Sequence, residues 1–122
     1  MEPRFGSLED LQELASGLRS RGMGLYLDVV NNHVAYDSDL VTTHPEWFHG
    51  KGDIVDWNDP VQVETHDVHG LPDLDQSHPE VRDWLIKAGL HWVSKVQPQG
   101  FRIDALRHVP TCLLYTSPSP RD

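Results

Sequence analysis

Two short stretches rich in β-branched and aromatic residues, Gly24 to Val30 and Phe101 to Asp104, each follow an amphipathic helical stripe, and this order limits the fold most. The first stripe is Leu8, Leu11, Leu14, Ala15 and Leu18; Ser7 and Asp10 are placed as a cap, and Arg21-Gly22 as a stop. The second is Val81, Trp84, Leu85, Ala88, Trp92, Val93 and Val96, opened by Ser77-His78-Pro79-Glu80, which reads as a capping box with proline in the first turn. It ends before Pro98-Gln99-Gly100. Helix, strand, connection, helix, strand is the repeating order of a parallel α/β protein.

Alternation in the first strand sends Tyr26, Asp28 and Val30 to one face and Leu25, Leu27 and Val29 to the other. Both faces are mostly apolar, so a buried parallel strand is expected. In the second strand Phe101 and Ile103 point one way, Arg102 and Asp104 the other. A cation and a carboxylate thus share a face near the C-terminal end, where parallel α/β proteins build sites. The arginine favours the ionised aspartate, as a carboxylate nucleophile requires, although a structural ion pair has the same pattern. Asp28 and Asn31-Asn32-His33 leave the first strand at the equivalent end.

Between the first strand and the second helical stripe, residues 31–76 show no sustained period, well beyond the roughly 12 to 15 residues of an ordinary loop. Ten carboxylates occur there, Asp37, Asp39, Glu46, Asp53, Asp56, Asp59, Glu64, Asp67, Asp73 and Asp75, against Lys51 as the one Lys or Arg. A solvated acidic loop and a site for a hard cation such as Ca²⁺ both fit that composition. Trp47 and Trp57 add aromatic surface, for a small core or a sugar platform.

The formal net charge of −9 disfavours nucleic acid and anionic membrane as partners, since no basic stripe exists to replace counterions. Cys112 is the single cysteine and forms no internal disulfide. No apolar run approaches the roughly 20 residues of a bilayer span, and the N-terminus lacks the order of a signal peptide. Localisation is left open by the sequence. From Cys112 the composition changes, with two Ser-Pro steps and no helical stripe, so residues 112–122 are expected to be a non-native tail. Residues 1–111 are then the native unit, with 31–76 as its protruding excursion.

Three segments together resemble the α-amylase family of glycoside hydrolases, in that family's order. Asp28-Val29-Val30-Asn31-Asn32-His33 resembles its third-strand motif, Leu71-Pro72-Asp73-Leu74-Asp75 the motif near the end of its second domain, and Gly100 to His108 its fourth-strand motif. The resemblance implies a partial (β/α)₈ TIM barrel with a second-domain-like excursion after the third strand. It implies Asp104 as catalytic nucleophile with Arg102 beside it, and His33, Arg107 and His108 as substrate contacts. Lysine is more usual in the family where Arg107 stands. It further implies Asn32, Asp73 and the backbone carbonyl of His108 as ligands of a structural Ca²⁺, Asp28 as structural support, and an α-glucan or malto-oligosaccharide as substrate. The family's general acid, a glutamate, and a further aspartate lie downstream of His108, so this chain alone is expected to be inactive and poorly packed. Glu46, Glu64 and Glu80 are not placed to replace that acid. A transglycosylase, a trehalose-related member, a noncatalytic barrel relative and a small calcium-binding protein are the alternatives.

Overall fold

The computed structural model describes residues 3–116. Helix α1, Leu8–Arg19, begins at the expected cap: Ser7 accepts from the Asp10 backbone N–H at 3.2 Å, while the Asp10 carboxylate accepts from the Ser7 N–H at 2.7 Å. That backbone hydrogen bond, followed by the Ser7 hydroxyl, holds the Asp10 carboxyl below its ordinary pKa. Strand β1, Tyr26–Val30, leads into an irregular segment carrying two short helices, α2 at Leu40–Thr43 and α3 at Pro60–Thr65. Helix α4, Pro79–Val96, then crosses back to strand β2, Gly100–Asp104. The strands pair in parallel with Tyr26 opposite Gly100, Asp28 opposite Arg102 and Val30 opposite Asp104. A single 3₁₀ turn, Leu106–His108, and helix α5, Thr111–Thr116, follow.

Two expectations change. The capping box proposed for α4 does not form, because His78 rather than Ser77 is the N-cap and makes no side-chain cap bond. Ser77 instead turns back on Asp75, and Glu80 accepts from the Trp47 indole N–H at 3.3 Å. Strand β1 is parallel but not buried: Tyr26 and Val30 are exposed, as is Ile103 on β2, because the faces of the two-stranded sheet that carry them are not covered. Within the expected tail, Thr111–Thr116 is helical and Leu113 is buried; the Ser-Pro steps lie outside the described residues.

The largest core lies away from the sheet. Trp47 and Leu74 from the excursion, Val81 and Leu85 from α4, Val109 and Leu113 form one buried cluster, with Leu74 fully enclosed at 0% exposure. Apolar burial therefore fastens the excursion to α4 and to the segment after β2. The acids of the excursion mostly serve local backbone. Asp59 caps α3 by accepting from Val61, Asp56 accepts from Asn58, Asp53 from Gly70 and Asp67 from Asp73.

With Tyr26, Val30 and Ile103 of the sheet exposed, the isolated 122-residue chain is expected to give a weak near-UV circular dichroism spectrum and to bind a hydrophobic dye. Strong near-UV bands with cooperative urea unfolding would contradict that expectation.

Candidate functional site

At the C-terminal end of the sheet, parallel register sets Asp28 directly beside Arg102, and alternation sets Asp104 on the same face. One guanidinium nitrogen of Arg102, Nη1, reaches both Asp28 oxygens at 3.0 and 3.1 Å and Asp104 Oδ1 at 2.8 Å. The hydrogen bond to Asp28, then the charge of Asp104, raise the Arg102 pKa further, so this cation stays charged throughout the working pH range. All three side chains are well exposed, and exposed ion pairs add little stability. Their arrangement instead holds the two carboxyl groups in one orientation at the sheet end.

His33 leaves β1 at the same end and is half-buried. Burial lowers its pKa, opposed by the charge of Asp104 and reinforced by His108, which sets these three groups within one another's fields. Burial thus favours the neutral imidazole, which can donate from one nitrogen and accept at the other. His108 lies on the 3₁₀ turn after β2, its Nδ1 2.7 Å from the Val63 carbonyl of α3. Arg107, on the same turn, donates from Nη2 to the Trp57 carbonyl at 2.8 Å. Ala105 makes the turn possible by adopting φ 53°, a left-handed conformation unusual for a residue with a Cβ.

Asn32 and Asp73 are brought together by backbone pairing. His33 and Asp73 form an antiparallel bridge, and the Leu74 N–H donates to the Asn32 carbonyl at 2.8 Å. Asn32 and Asp73 are 0% and 1% exposed, and Asn32 Oδ1 and Asp73 Oδ1 have no hydrogen-bond partner among the described residues. Burial pushes the Asp73 pKa up, against the hydrogen bond from His49, whose Nδ1 lies 2.7 Å from Asp73 Oδ2. A cleft of about 310 Å³ lies alongside, lined in part by Phe48, Asp67, Pro72 and Asp73. Among the described residues no group of three or more His, Cys, Asp or Glu side chains could hold a metal, so any such site draws on amide and backbone oxygens.

The named site residues thus form two linked groups: Asp104, Arg102 and Asp28 on the sheet, and His33, Asn32, Asp73, Arg107 and His108 around its C-terminal end. Of the three glutamates, Glu46 pairs with His44 at 3.2 Å, Glu80 is taken by Trp47, and Glu64 is exposed on α3. Sequence reasoning missed Gln76 and His49. Gln76 is fully buried and donates from Nε2 to the carbonyl of Asn31 at 3.0 Å, pinning the β1 exit. Neither stands at a telling spacing, and only the folding back of the excursion places them here.

The geometry agrees with what the chain is similar to. A family model described as alpha amylase, catalytic domain, matches residues 1–119. Among curated relatives, a cyclomaltodextrin glucanotransferase of Klebsiella oxytoca is 30% identical over 89% of this chain and 20% of its own length. An alpha-amylase-related protein of Drosophila varians is 31% identical over 87% of this chain and 25% of its own length. The chain therefore spans a quarter or less of these relatives. Among solved structures, an alpha-amylase from Geobacillus thermoleovorans complexed with acarbose is 43% identical, with a TM-score of 0.90 over 93% of this chain and 26% of that one. With a family model matched along nearly all its length and three ordered motifs meeting at one sheet end, the chain belongs to the α-amylase family of glycoside hydrolases, within its catalytic domain.

Proposed function

We propose that this chain is part of an enzyme that cleaves or transfers α-glucosidic bonds of starch-like glucans or malto-oligosaccharides, with retention of configuration, through a glucosyl ester on Asp104. The observation carrying this reading is the bridge from Arg102 to both Asp28 and Asp104, which holds the Asp104 carboxyl group aimed from the end of β2. A carboxylate oxygen of Asp104 attacks the anomeric carbon as the glycosidic C–O bond breaks, and an acid protonates the departing oxygen. Water, or a sugar hydroxyl, then attacks the same carbon, gives up its proton to the conjugate base of that acid, and frees the Asp104 carboxylate. Retaining enzymes need the two carboxyl groups about 5 to 5.5 Å apart. Glu46 and Glu80 of this chain are held elsewhere and Glu64 points from α3, so the 122-residue chain alone is inactive.

His33 donates to a hydroxyl of the attacked sugar, and Arg107 and His108 contact the neighbouring unit. Arginine at position 107 offers a planar fork rather than a point charge, which favours paired contacts to sugar hydroxyls. Residues 31–76 form a protruding second domain over one side of an eight-stranded barrel in this reading. The acarbose and maltohexaose in structures of similar alpha-amylases support an oligosaccharide ligand. Similarity to a cyclomaltodextrin glucanotransferase keeps transfer beside hydrolysis, since both share the glucosyl ester and differ only in what attacks it.

The buried, unpaired oxygens of Asn32 and Asp73 fit a hard cation such as Ca²⁺, with the His108 carbonyl as a further ligand. When bound, the ion would supply crosslinking of the β1 exit, the excursion and the turn after β2. Asn32 and Asp73 contribute the oxygens, while His49 holds Asp73 Oδ2 and fixes the carboxylate's direction.

In the full-length protein, Asp104→Asn is expected to lower kcat on soluble starch on the order of 10⁴-fold or more with binding retained. Arg102→Ala is expected to cost on the order of 10²-fold in kcat, with Arg102→Lys recovering only part, because a lysine cannot span two carboxylates. Both are read by reducing-sugar release; wild-type-like rates for Asp104→Asn would sink the assignment. Ca²⁺ is expected to raise the thermal midpoint and EDTA to lower it, with the response blunted in Asp73→Asn. An unchanged midpoint in both conditions would remove calcium from the reading.

A further inference from the structure

Gln76 takes no part in the chemistry at Asp104 and is not among the oxygens offered to a cation. It is fully enclosed at 0% exposure, yet it carries an amide where an apolar side chain of similar length would cost less to bury. One end of that amide faces two carbonyl oxygens, Asn31 at 3.0 Å and Asn32 at 3.5 Å, and only its NH2 group can sit there. The other end, Oε1, is buried with no hydrogen-bond partner among the described residues. Leaving a buried acceptor unmatched costs roughly 1 to 3 kcal/mol, so stability does not explain this glutamine.

Both carbonyls belong to the exit from β1. In an extended strand successive carbonyls point to opposite sides, so one NH2 group within reach of two of them marks the bend at Asn32, where the strand has ended. His33 follows that bend. Its backbone bridges Asp73, and the Leu74 N–H holds the Asn32 carbonyl at 2.8 Å, so main chain of the excursion clamps the far side. The near side, at Asn31, is clamped by the Gln76 side chain. Between the two clamps the peptide planes are fixed, and with them the direction in which the half-buried His33 imidazole leaves the chain, into the field of Asp104 and His108.

We infer that Gln76 is a positioning residue for the attacked sugar: by holding the bend at Asn31 and Asn32 it aims His33 at a sugar hydroxyl beside Asp104, without itself touching substrate. This inference rests on the reading of the protein as an α-glucan-active enzyme. Loss of the amide frees the Asn31 peptide to rotate, and a misplacement of about 1 Å in a site can cost on the order of 10²-fold in rate. The main-chain clamps on Asn32 and His33 remain and limit the displacement, so the cost here is smaller.

In the full-length protein, kcat and KM for maltoheptaose are measured at two Ca²⁺ concentrations for wild type, Gln76→Met, Gln76→Glu, His33→Ala and the double variant of Gln76→Met with His33→Ala. Methionine keeps the length of glutamine without the donor, and glutamate keeps its shape but turns an acceptor toward two carbonyls. Gln76→Met is expected to lower kcat about tenfold with KM within about twofold of wild type, and Gln76→Glu to lower kcat at least as much. In the His33→Ala background, Gln76→Met is expected to change kcat less than about twofold, because the group it positions is gone. Its thermal midpoint is expected to stay near that of wild type. Wild-type kcat in Gln76→Met overturns the inference while leaving the proposed function standing. Equal losses with and without His33, or a loss that the higher Ca²⁺ concentration restores, also overturn it, assigning Gln76 a structural or cation-holding role. Failure of both Gln76 variants to fold does the same. A wild-type protein that does not cleave maltoheptaose overturns the proposed function and this inference with it.

Discussion

The hydrogen bond from the Leu74 N–H to the Asn32 carbonyl, at 2.8 Å, closes a loop of more than forty residues onto the end of a strand, and the site depends on that closure. Around it, Val34 donates to the Pro72 carbonyl, His33 bridges Asp73, and Gln76 holds the Asn31 carbonyl from below. Bringing distant segments together costs chain entropy that grows slowly with loop length, and the burial of Leu74 among Trp47, Val81, Leu85, Val109 and Leu113 offsets it. The same closure seats Asn32 beside Asp73. Polar groups that must sit dry and unpaired are thus carried by the best-packed part of the molecule.

From there the excursion reaches across to the other strand. The Val63 carbonyl of α3 accepts from His108 Nδ1 at 2.7 Å, and the Trp57 carbonyl accepts from the Arg107 guanidinium. The turn after β2 is therefore held by backbone groups of the excursion, and the rings of Trp57, His69 and His108 gather where the two meet. Sheet and excursion divide the work: the strands orient Asp28, Arg102 and Asp104, and the excursion holds Arg107 and His108.

Charge is distributed in the same sense. The exposed Asp28, Arg102 and Asp104 group contributes little to stability, but its shared cation holds the two carboxyl groups in one arrangement at the sheet end. The many acids of the excursion look like a cation sponge in one dimension and turn out mostly to be turn and helix caps, as Asp53, Asp56, Asp59 and Asp67 each accept from a backbone N–H. Only Asp73 is both buried and left with an unpaired oxygen.

What the sequence determined by itself is whatever short-range periodicity controls. Alternation placed Arg102 and Asp104 on one face, the Ser7 and Asp10 spacing opened α1, and the order of helices and strands made the sheet parallel. The family motifs were legible because their residues are adjacent in the chain. Tertiary structure decided the rest, because those relations join residues tens of positions apart: Asp28 as a second partner of Arg102, Gln76 and His49 behind Asn32 and Asp73, and the separation of Trp47 from Trp57. It also moved the α4 cap from Ser77 to His78, since Asp75 competes locally for the Ser77 hydroxyl and backbone N–H. Both tryptophans read alike as aromatic residues in an acidic loop. Which one is core and which one faces solvent depends on where the loop returns, and that is a property of packing.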